Sequence, residues 1–162
     1  MAAISPCIRV VLALGVAATL LSAPTRGQAA GDIAVVVNPG VPVDNLTFAE
    51  LRRIILGDRE FWSPGMRVAL LIRAPVARER DAAVKQVCQM TEAQFRQHWI
   101  GKVFRADTAT GPKIVYSNDM ALDQVSRTSG AIAFVEAPVA TKGLKILKID
   151  GLSPGQAGYR VK

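Results

Sequence analysis

Cysteine is scarce in this 162-residue chain, which carries only Cys7 and Cys88. One of the two falls inside the first thirty residues, so no disulfide framework of the kind that staples small secreted domains can be built, and the fold must rely on packing. Histidine is scarcer still. His98 is alone, with no cysteine, acid or second histidine at metal-ligand spacing, so it does not form a metal site. Catalysis by it would need an orienting partner that the sequence does not display, and a structural or surface role is expected. Glycine-rich phosphate loops, zinc motifs and nucleophile elbows are all missing. No nucleophile, base and orienter can be named from spacing, so the chain reads as a non-enzyme that needs no cofactor. Internal repeats and low-complexity tracts are missing too.

What is present fits one domain. Half of the residues are hydrophobic, enough for one core and too few for two large ones. Arg9 precedes an unbroken apolar stretch at residues 10–21, which ends in SAPTRGQAAG. That stretch is too short to cross a bilayer as a stable helix, and the small residues Gly27 and Ala29 suit signal peptidase. Residues 1–30 therefore read as a cleavable signal peptide and residues 31–162 as one periplasmic domain, an uncleaved anchor being the alternative. Cys7 precedes the apolar stretch and cannot be the acylated cysteine of a lipoprotein. The formal net charge is +7, and it falls when Arg9 and Arg26 leave with the signal. Charges alternate in sign without long runs, which reads as a solvated basic surface. In an exported protein that excludes nucleic acid as the natural partner and leaves small anions or the acidic envelope.

Residues 66–87, MRVALLIRAPVARERDAAVKQV, organise the rest. Residues 68–72 are continuously apolar, the mark of a strand buried on both faces. Arg73, Ala74 and Pro75 break that run, and from Val76 the spacing turns helical. Ala83, Val84, Val87 and Cys88 share one side, with Arg80, Asp81 and Lys85 elsewhere. Cys88 is thereby expected in the core. A strand feeding a helix aims free N–H groups beyond the strand's carboxyl end, and Arg73, Arg78 and Arg80 gather there.

Around this unit, IAVVV at residues 33–37 predicts a first strand, ended by Asn38, Pro39 and Gly40. Thr47 and Glu50 form a capping box for a helix with Phe48, Leu51, Ile54 and Ile55 on one side and a stop at Gly57. Residues 58–65 read as a connecting loop pinned by Phe61 and Trp62, with packing favoured over a ligand platform. Thr91 and Gln94 open another helix, with Phe95, Trp99 and Val103 on one stripe and a bend near Met90. Residues 114–116 predict a short edge strand. Ser117, Asn118 and Asp119 offer N-caps for a helix through Arg127, and AIAFV at residues 131–135 predicts a buried strand. LKILKI at residues 144–149 alternates as an edge strand with one wet face. The tail from Ser153 reads as irregular. Strands alternating with helices give an α/β fold with a mixed, mostly parallel sheet flanked by helices.

IAVVVNPG, LTFAELRRIILGDREFW, the strand ending at Arg73, FRQHWIGKVF, VSRTSGAIAFVE and IDGLSPGQAGY occur in an order that resembles the type II periplasmic solute-binding proteins of the phosphate-binding group. The resemblance covers nearly all of residues 31–162 and points to a short, single-lobe member with one Rossmann-like lobe. It implies an anion held by main-chain N–H groups, hydroxyls and an arginine. Arg73, Val76, Ala77 and Arg78 are the candidate ligand-binding residues, and of the family's contacts in this loop only Arg73 carries over. Two departures stand out. The chain has about half the length that two lobes need, and Ala77, Arg78 and Glu79 replace the Ser-Gly-Thr with which the family opens its helix. A carboxylate there repels an oxyanion. The resemblance implies weak binding of phosphate or a similar oxyanion, for an ABC permease or a sensor, with a homodimer as one way to supply the opposite wall. The alternative is an envelope protein-contact module on the same fold that has lost anion binding.

Overall fold

The computed structural model describes residues 31–108, 111–140 and 143–162; the expected signal peptide lies outside them. The elements run β1 (Ile33–Val37), β2 (Asn45–Leu46), α1 (Phe48–Ile55), β3 (Phe61–Ser63), β4 (Met66–Arg67), β5 (Ala69–Arg73) and α2 (Arg78–Asp81). The last continues through a π-helical segment, Ala82–Val87. Then come α3 (Glu92–Phe104), β6 (Lys113–Val115), α4 (Asn118–Arg127), β7 (Ala131–Glu136), β8 (Lys145–Ile146) and β9 (Lys148–Ile149).

Five strands form the main sheet in the order β6-β5-β7-β1-β8. β5 is parallel to both β6 and β7, while β1 is antiparallel to both of its neighbours, β7 and β8. Four of the five strands therefore point one way and β1 alone is reversed. The sheet is mixed, with helices on both faces, as the alternating pattern implied. Alternate residues of each central strand enter two cores. Ile33, Val35, Val37, Leu70, Ile72, Ile132 and Phe134 face α1, the π segment and α3. Ala34, Val36, Leu71, Ala131, Ala133 and Val135 face Ala121 and Val125 of α4. The second face carries smaller side chains, which lets α4 sit close.

Both expected capping boxes are formed, Thr47 with Glu50 and Thr91 with Gln94. Ser117 caps α4 through Met120 N–H. Cys88 is fully buried, and burial pushes its thiol up to about 12, so it is a core residue. His98 Nε2 lies 2.8 Å from the Leu56 carbonyl, tying α3 to the end of α1. Trp62 is buried and donates to the Gly130 carbonyl at 2.8 Å, so packing decides its role, while Phe61 stays half exposed.

Three readings need correction. Residues 58–65 are not only a loop, since β3 and β4 pair as a hairpin; strands of two or three residues are too short to show a period. The LKILKI stretch is two strands. β8 pairs with β1 and β9 with β2, so Leu147 is buried where the two meet and Ile146 is exposed. The third concerns Arg80, which the helical spacing placed off the apolar side with Asp81 and Lys85. It is buried, because Glu92 at the start of α3 captures its guanidinium.

Candidate functional site

The carboxyl ends of β5, β6 and β7 form one edge, reached by Arg73, Val115 and Glu136. Two helices begin just beyond it, α2 after the loop at residues 74–77 and α4 after Ser117. That is where an open α/β sheet offers a ligand crevice. Ala74 N–H donates to the Val115 carbonyl at 3.0 Å, extending the β5-β6 ladder by one step. Val76 then takes φ of 69° and exposes 98% of its surface. A β-branched residue in left-handed backbone is strained, and the turn it makes drops Ala77 into extended conformation at the N-cap. Ala77 has no side-chain oxygen, so the first turn of α2 has no side-chain cap.

The four candidate residues do not converge. Arg73 stays at the edge with its side chain turned in, 15% exposed, and its Nε lies 3.6 Å from Glu79 Oε2. Glu79 is 4% exposed. At that separation the two form an ion pair without a hydrogen bond, and Arg73 Nε and Nη1 are buried with no hydrogen-bond partner among the described residues. Arg78 is drawn away from the loop. It donates to the Gly31 carbonyl at 2.8 Å and meets Glu136 at 3.4 Å. Val76 sends its side chain into solvent, and Ala77 offers only its main chain.

Sequence reasoning named Arg80 at this edge without its partners, and missed the parts that Asn118 and Glu136 play. Arg80 donates to the Arg73 carbonyl at 2.9 Å and to Glu92 at 2.9 Å, with its guanidinium 5.6 Å from the Phe95 ring. This brace fixes the end of β5. The hydrogen bond from Arg80 holds the Glu92 carboxyl below the ordinary carboxylate range. Asn118, at the first position of α4, buries Oδ1 without a partner. Glu136 closes the edge by taking Arg78. The only advance signal for the first two was their place beside strand ends. Among the described residues no group of histidine, cysteine or carboxylates could hold a metal ion.

Compared with known structures, the chain aligns with a protein of the phosphate ABC transporter substrate-binding kind from Clostridium perfringens, with bound phosphate, at TM-score 0.62 and 16% identity. That match covers 76% of this chain and 46% of the other. PstS from Borrelia burgdorferi aligns at TM-score 0.63 and 17% identity, over 81% of this chain and 54% of that one. The fold is that of a PstS-type substrate-binding protein. An ABC-type phosphate transport receptor from Vibrio cholerae agrees, at TM-score 0.61 and 24% identity, over 76% of this chain and 48% of that one. The chain thus spans about half the length of the structures it matches. No protein-family model and no curated protein matches it by sequence. The structures from Clostridium perfringens and Vibrio cholerae carry phosphate-transport names. No helix among the described residues is long and apolar enough to cross a membrane.

Proposed function

We propose that this chain is an exported, periplasmic solute-binding-like protein that takes phosphate or a similar small oxyanion weakly at the β5 edge, for ABC-type uptake or for sensing. The observation that carries this reading is the pair of unspent donors, Nε and Nη1 of Arg73, buried where β5 hands over to α2. A buried donor without an acceptor costs about 1–3 kcal/mol, which an arriving oxyanion would relieve. The fold likeness to proteins named for phosphate supports the same ligand class.

Glu79 sets the weakness. Two like charges about 4 Å apart repel by about 4 kcal/mol at an effective dielectric near 20, roughly three orders of magnitude in affinity. A lone lobe also leaves one side of the ligand hydrated. Calorimetric titration with phosphate, sulfate and acetate tests the site. Wild type should bind in the millimolar range, Glu79→Gln at least tenfold tighter, and Arg73→Ala not at all. No heat in either wild type or Glu79→Gln removes the reading, and unchanged heat in Arg73→Ala removes the site.

A second reading, an envelope protein-contact module without anion binding, is favoured by one observation. Glu79 already neutralises Arg73, and neither Val76 nor Ala77 supplies a hydroxyl. Silence in all three titrations would select it.

A further inference from the structure

We draw no further inference here: the strongest candidate, the apolar groove between α3 and β6 walled by Ile72, Trp99, Ile100, Val103, Phe104 and Ile114, leaves a helix face open with nothing in the structure to show what covers it.

Discussion

Single residues decide what this lobe can do at its sheet edge. Arg73 was legible as a strand-end cation, because an apolar run broken by Arg-Ala-Pro leaves little else for it to be. Glu79 was legible only as a wrong residue in a familiar place; that it folds back under Arg73 depends on the turn at Val76, which no propensity foretells. Arg80 was misread because helical spacing sees one helix at a time, and its partner Glu92 belongs to another. That pair makes a pH prediction. Glu92 is held below its ordinary value of 4.5 by Arg80, and Glu50 by the N–H of Thr47. A carboxyl depressed by folding stabilises above its unfolded pKa, and the benefit disappears as pH falls through the folded one. The thermal midpoint should be level from about pH 7 to 5 and fall below about pH 4.5. Glu92→Gln should lower the midpoint at neutral pH and converge on wild type in acid, as followed by circular dichroism.

At the scale of elements, periodicity served the long helices and buried strands and failed the short pieces. α1, α3, α4, β1, β5 and β7 all carry either a cap or a continuous apolar run. The hairpin of β3 and β4 carries neither, and it is held from outside. Gly130 accepts from Trp62 of the hairpin and from Ala69 N–H at the start of β5, and its φ of 71° lets its Cα approach the Arg67 carbonyl. A methyl group there would collide with that oxygen. Gly130→Ala should cost more than about 2 kcal/mol in urea unfolding, because backbone on both sides of the contact must move. A loss under 0.5 kcal/mol would mean that the hairpin is not fixed through this point. The far end of α3 was equally hard to read: Phe95, Trp99 and Val103 were expected on one stripe, but Phe95 is buried and Val103 is exposed.

For the whole molecule, the fold class could be read because strands and helices alternate and the apolar runs are long enough to be buried on two faces. What could not be read is how the irregular tail fastens it. Tyr159 is buried and donates to the Ile33 carbonyl at 2.8 Å, and Ile33 N–H donates to the Val161 carbonyl at 3.0 Å. Lys162 meets Asp32 at 2.6 Å. Tyr159→Phe should cost about 1–3 kcal/mol by leaving the β1 carbonyl without its donor, measured as a lower urea midpoint with an unchanged slope.

The reversed strand β1 has every one of its sheet neighbours at the far end of the chain, with 126 residues separating Ile33 from Tyr159. The earliest of the described strands is thus among the last that can settle in the sheet, because its neighbours β7 and β8 come after every other strand of the main sheet. Long loops must close before those contacts repay the entropy, so β1 should pair only once β7 and β8 have been made. For a chain read as exported, such a delay keeps the newly made protein threadable for as long as it is being made.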